Sequence, residues 1–205
     1  MKAIYLVRHA QTRYDAAVPD SERPLTERGH EQAAALVGAL DALGIEEIHT
    51  SPYRRCIDTI GPFARHAALE LNHVEDLRER AFTRDRVDDW PTLWKRVWTD
   101  FDFAFADGES SRQAQLRMCA ATAQLAQGSR ADTFAIASHG NTIGLLLHQI
   151  DARFTFEHAC AIRTPDVLRV TFDGDALRWD RDFSIETLEA FATTVELNIA
   201  AAAVR

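Results

Sequence analysis

Two rhythms of apolar residues alternate along this chain. Short apolar runs at residues 4–7, 45–50, 69–74 and 133–137 read as strands. The first and last are unbroken, as strands buried on both faces of a sheet are. Stripes at helical spacing separate them. Ala33, Leu36, Val37, Leu40 and Leu43 form one; Ile57, Ile60, Phe63 and Ala64 the next. Trp90, Leu93, Trp94, Val97, Trp98 and Phe101 form an aromatic stripe, read as packing or as an apolar lid. A helix from Ser110 to about residue 128 has Leu116, Ala120, Ala123 and Ala126 as its expected buried positions. Ile143, Leu145, Leu146, Leu147 and Ile150 predict a deeply buried helix. Residues 167–172 and 176–179 flank Asp173-Gly174 and predict a hairpin. Ile185, Leu188, Phe191, Val195 and Ile199 predict a last helix over 184–205, capped by Ser184. Its apolar stripe must bury against the body or a second copy, so a homodimer is one expectation.

Punctuation supports these boundaries. Thr26, after Pro24-Leu25 and before Glu27, predicts an N-cap, and Gly44 predicts the end of that helix. Ser51 followed by Pro52 predicts a second helix start, with Ser51 as cap. Residues 13–23 are polar and irregular, a loop over the sheet edge.

The candidate chemistry sits where apolar runs stop. The first run breaks directly into Arg8-His9, and the 133–137 run ends in Ser138-His139-Gly140-Asn141. Ligands of open α/β sheets bind at the carboxyl ends of strands. An arginine fork fits phosphate or carboxylate, and a histidine is a nucleophile or proton carrier near neutral pH. Arg54 and Arg55 fall in the first turn of a helix, where free N–H groups already favour anions, so they serve a bound anion or are merely solvated. The charged stretch 75–80 offers a carboxylate as proton donor, or is a solvated loop.

Composition narrows the partners. The 205 residues are 46% hydrophobic and 26% charged, as in ordinary globular proteins. A net charge of −8 argues against nucleic acid as a partner. No window is apolar enough to span a bilayer, and the start of the chain leaves no room for a signal peptide, so a cytoplasmic protein is expected. Cys56, Cys119 and Cys160 are expected to be reduced structural thiols. His30, His49, His66, His73, His148 and His158 show no metal-ligand spacing, and neither metal nor cofactor is expected.

These pieces resemble the histidine phosphatase superfamily, the phosphoglycerate mutase-like proteins, from residue 2 to about 180. Arg8-His9-Ala10-Gln11-Thr12 resembles the family's Arg-His-Gly signature, and Pro24-Leu25-Thr26 with Gly29 and Gln32-Ala33 its next segment. Ser51-Pro52 with Arg55 and Thr59 resembles the third and singles out Arg55. Leu77-Arg78-Glu79 is similar to the acid's segment, and Gly108-Glu109-Ser110 and Ser138-His139-Gly140 match two later ones. The resemblance implies a three-layer α/β/α sandwich on a mostly parallel sheet, in one domain spanning 1–205. It implies that His9 forms a phosphohistidine and that Arg8, Arg55 and His139 hold the phosphoryl oxygens. Glu79 would protonate the leaving oxygen and then activate water. Thr12, Gly140 and Asn141 join the expected substrate contacts.

Three departures stand out. Ala10 replaces a glycine. Asp15 replaces an asparagine, so it either points away or has its contact taken over by Gln11 or Asn141. Arg80 to Val87 is basic where glycines are usual, which leaves Glu75 and Asp85 as alternate acids. Arg80, Arg84 and Arg86 either meet a substrate's distal anion or are solvated. The resemblance implies metal-independent hydrolysis of a small phosphorylated metabolite. A mutase is the alternative, and a non-catalytic phosphate-binding or scaffold domain a second one.

Overall fold

The protein's structure, a computed structural model, describes residues 1–15, 17–83 and 87–185. Its elements are β1 (Lys2–Arg8), α1 (Glu27–Asp41), β2 (Glu47–Thr50), α2 (Arg54–Ala67) and β3 (Leu71–His73). There follow α3 (Trp90–Thr99), α4 (Ser111–Gly128), β4 (Thr133–Ser138), α5 (Gly140–Ile150), α6 (Phe156–Ala161), β5 (Asp166–Phe172) and β6 (Leu177–Asp180).

The strands form one sheet in the order β3-β2-β4-β1-β5-β6. The four strands from β3 to β1 run parallel, whereas β5 is antiparallel to β1 and β6 to β5. The α/β sandwich expected from the sequence is therefore present, with an antiparallel hairpin on one edge of a mostly parallel sheet.

Strand alternation builds both cores. Ile4 and Leu6 of β1 and Phe134 and Ile136 of β4 face one side, packing with Leu93 of α3, Met118 of α4 and Leu145 of α5. Tyr5, Val7, Ala135 and Ala137 face the other side, packing with Leu36 and Leu40 of α1 and Ile60 and Phe63 of α2. Successive residues thus enter opposite cores, which is why these two strands read as unbroken apolar runs.

Several local expectations need correction. Thr26 does cap α1, its side chain accepting the Gly29 N–H. The helix ends at Asp41, however, and Gly44 takes its positive φ of 63° in the turn beyond. Helix α2 starts at Arg54 after Tyr53, not at Pro52, and Ser51 Oγ accepts the Tyr53 N–H at 3.3 Å ahead of it. Strand β3 is shorter than the apolar run that predicted it.

Helix α4 turns a different face inward. Leu116 is 60% exposed and Ala120 is exposed, Ala123 is half-buried, and Ala126 is buried as expected. Ala114, Gln115, Met118, Ala121 and Thr122 supply the rest of the buried face. Two of these are polar, and each is satisfied: Gln115 Nε2 donates to Leu145 O at 3.0 Å and Thr122 Oγ1 to Met118 O at 2.8 Å. The short helix α6 carried no clear periodicity. The predicted C-terminal helix lies, from residue 186 on, outside the described residues.

Candidate active site

Register creates the site. Parallel pairing of β1 with β4 sets Arg8 opposite Ser138, the last residue of each strand. The next residues, His9 and His139, leave the sheet side by side. The His9 N–H donates to Ser138 O at 3.2 Å, and the two rings stand edge to face with centroids 5.3 Å apart.

His9 is only partly buried. Its Nδ1 lies 2.8 Å from Ala10 O. A carbonyl only accepts, so Nδ1 carries the ring proton and Nε2 keeps its lone pair free. Burial, then the charges of Arg55 and Arg8, hold the His9 pKa well below the usual histidine range. The residue after it is anchored, since Ala10 N donates to Thr59 Oγ1 of α2 at 2.9 Å.

His139 is fully buried, and its ring nitrogens have protein partners. Nδ1 accepts from Arg55 Nε at 3.1 Å, so Nε2 carries the proton and faces Ser51 Oγ at 2.8 Å. Ser51 is thus a partner of His139 rather than a helix cap. Burial, then Arg55 and the neighbouring His9, push the His139 pKa well below its ordinary value.

Two arginines converge on this pair. Arg8 crosses the start of α5 and donates through Nη1 to Ile162 O, while its buried Nε has no partner. The crossing needs Gly140: a Cβ there would lie 2.7 Å from Arg8 Cζ. Arg55 is almost wholly buried, whereas Arg54 is exposed and pairs with Asp58 at 3.3 Å. Beyond its bond to His139, Arg55 gives Nη1 to Asp20 O at 2.6 Å and Nη2 to Asp20 Oδ2 at 3.2 Å. Asp20 also meets Arg23 at 3.1 Å, so one carboxylate bridges two cations.

Glu79 reaches the same edge from the segment after β3. Its Oε1 accepts from Thr142 Oγ1 at 2.7 Å and Thr142 N at 3.1 Å, at the start of α5. A helix N-terminus favours a carboxylate there. The negative charge of Glu79 acts directly on Arg8. The alternate acid Glu75 is 71% exposed and turned to Arg78, and Asp85 lies outside the described residues.

The other expected contacts divide. Asn141 is buried at the start of α5 with neither Oδ1 nor Nδ2 partnered, a polar group with hydrogen-bonding capacity to spare. Thr12 is half-buried in a single bridge to Leu25. Gln11 is turned away, its Oε1 accepting from Thr26 Oγ1 at 2.8 Å, and Asp15 accepts from Ala17 N at 2.9 Å. Arg80 is neither solvated nor free for a substrate. It is buried, donating to Glu109 O, Ser111 Oγ and Phe103 O, and its pKa is pulled down to about 10 by burial. Arg84 and Arg86 lie outside the described residues.

Sequence reasoning missed Asp20, Arg23, Ser51 as a histidine partner, and Thr142. Only Thr142 carried a signal, as the next residue after Asn141 at a helix start. Among the described residues, no group of three or more His, Cys, Asp and Glu is placed to hold a metal ion. No described helix is long and apolar enough to cross a membrane.

Residues 4–182 match the model of the histidine phosphatase superfamily (branch 1). A protein of Salmonella arizonae named probable phosphoglycerate mutase GpmB is 30% identical over 164 residues, 73% of this chain and 75% of that one. Among solved structures, YhfR of Bacillus stearothermophilus superposes with a TM-score of 0.76 at 20% identity, covering 92% of this chain and all of that one. A mycobacterial glucosyl-3-phosphoglycerate phosphatase superposes with a TM-score of 0.71 at 19% identity, covering 88% and 96%. At such identities the structural likeness concerns the fold.

Proposed function

This chain belongs to the histidine phosphatase superfamily, and on that premise we propose that it hydrolyses a small phosphorylated metabolite, without a metal, through a phosphohistidine on His9. The observation that carries this reading is the fixed tautomer of His9, with its Nε2 lone pair free beside Arg8 and Arg55. Imidazole is both a competent nucleophile and a fair leaving group, so one difficult displacement becomes two easier ones.

In the first step His9 Nε2 attacks phosphorus while the ester P–O bond breaks. Glu79, in its protonated form, gives its proton to the departing oxygen, releasing an alcohol. In the second step Glu79, now a carboxylate, takes a proton from water, whose oxygen attacks phosphorus. The P–N bond breaks, phosphate leaves and His9 is regenerated. Arg8, Arg55 and the α5 N-terminus at Gly140 and Asn141 stabilise charge on the equatorial oxygens. Thr12, from the same motif as His9, is the further substrate contact in this reading. His139 holds Arg55; beside a bound dianion its protonated form is favoured, and it then gives an N–H to a phosphoryl oxygen in place of that bond.

A mutase is the second reading, favoured by the printed names of the curated relatives. The partial exposure of His9 supports hydrolysis, because water reaches a phosphoryl group there. The test is turnover of an aryl phosphate in excess EDTA, comparing wild type with His9→Ala, together with acid-labile labelling of the protein. Chelator-resistant activity that disappears in the variant is expected. Full activity in His9→Ala would refute the nucleophile. A phosphoglycerate converted to its isomer rather than to free phosphate would favour the mutase.

A further inference from the structure

Arg117 of α4 has every arm engaged. Its Nε and Nη2 each lie 2.7 Å from a different oxygen of Glu109, a bidentate clamp that is almost fully buried. The remaining N–H groups reach backward along the chain. Nη1 donates to Asp76 O at 2.7 Å and Arg78 O at 2.9 Å, and Nη2 to Glu79 O at 3.3 Å. One guanidinium therefore grips three carbonyls of the segment that delivers Glu79.

Neighbouring contacts hold the residues that follow Glu79. Glu109 N donates to Ala81 O at 2.7 Å. Gly108 packs so closely that a Cβ there would sit 1.8 Å from Phe82 O. On the far side Thr142 Oγ1 of α5 bonds both the Glu79 carboxylate and Arg78 O. The Glu79 backbone is thus fixed by α4 and its carboxylate by α5. The positive charge of Arg117 is also felt at His139, so the clamp lies within electrostatic reach of the site.

We propose that Arg117, held by Glu109, is a positioning residue that fixes Glu79 for proton transfer to the leaving oxygen. It touches no reacting atom. It acts by denying the Glu79 backbone the small shifts that misalign a proton donor, and a displacement near 1 Å costs about 100-fold in rate. The inference rests on the hydrolytic reading above.

The experiment compares two esters that differ in their need for an acid. An alkyl phosphate expels a basic alkoxide and needs protonation, whereas 4-nitrophenyl phosphate expels a stable phenolate and scarcely does. Wild type, Arg117→Lys, Glu109→Gln and Glu79→Gln are assayed for kcat/KM on both. Arg117→Lys and Glu109→Gln are expected to lose about 100-fold on the alkyl ester and only a few-fold on the aryl one, the pattern of Glu79→Gln. Glu109→Gln keeps a hydrogen-bonding partner for Arg117 and carries the test if Arg117→Lys does not fold. Equal losses on both esters, or none, would overturn the positioning role. A wild type inactive on both esters would instead remove the hydrolytic reading, and the positioning role with it.

Discussion

Asp20 lies across the outer end of Arg55, meeting both of its terminal nitrogens, so a side chain of the protein occupies donors that suit a phosphate. The carboxylate is 41% exposed, whereas the Arg55 side chain is only 4% exposed. The arginine is therefore the fixed partner and Asp20 the displaceable one. On the hydrolytic reading proposed above, an incoming phosphoryl group must replace this internal anion or share the fork with it. Asp20→Asn is expected to tighten binding of inorganic phosphate, by about fivefold at most, given what half-exposed ion pairs contribute. Isothermal calorimetry with phosphate reads this directly. Weaker binding in the variant would mean that Asp20 orients Arg55 rather than competing for it.

Gly140 and Arg8 make a second coupled pair. A methyl group at 140 would press on the guanidinium, the far end of a flexible side chain, so the arginine would give way and the backbone would stay. Gly140→Ala is expected to change the melting temperature little. Phosphate affinity is expected to drop about tenfold, the scale of one charge-assisted hydrogen bond lost. A variant that binds phosphate like the wild type would show that Arg8 reaches its ligand by another path.

The two histidines were legible because two apolar runs each end in one, and buried parallel strands deliver their next residues to a common edge. Arg55 was separable from Arg54 only through the family's spacing. The roles of Arg80 and Arg117 were illegible: Arg80 stands in a charged stretch that reads as solvated, and Arg117 is one of two arginines in a helix of otherwise uncharged residues. Their acceptors are mostly backbone carbonyls brought together from distant loops, which no local pattern records. Ser51 misled for a related reason. A serine before proline is a good helix cap in isolation, and only the arrival of His139 from residue 139 gives its hydroxyl another partner. The buried face of α4 was misjudged because Gln115 and Thr122 are satisfied inside while Leu116 stands outside. Satisfaction of a polar group is a property of the assembled fold.

The depressed pKa of His139 makes stability depend on pH, and the sign follows from where the proton goes. Burial and the adjacent Arg55 keep the folded ring neutral well below the ordinary histidine value of 6.5. The unfolded chain has no such restraint and binds a proton there as pH falls through that value. Below about pH 6.5, then, the unfolded state holds a proton that the native state lacks, and native stability declines. For one such histidine the loss at pH 5.5 is at most about 1.4 kcal/mol relative to pH 7.5. Urea unfolding of wild type and His139→Asn, at pH 7.5 and 5.5 in phosphate-free buffer, isolates this contribution. The wild type is expected to lose more stability than the variant over that interval. Equal losses would mean that the native ring accepts its proton as readily as the unfolded one, and that Arg55 does not hold it neutral. Adding phosphate at pH 5.5 is expected to narrow the difference, because a bound anion beside His139 favours the protonated ring.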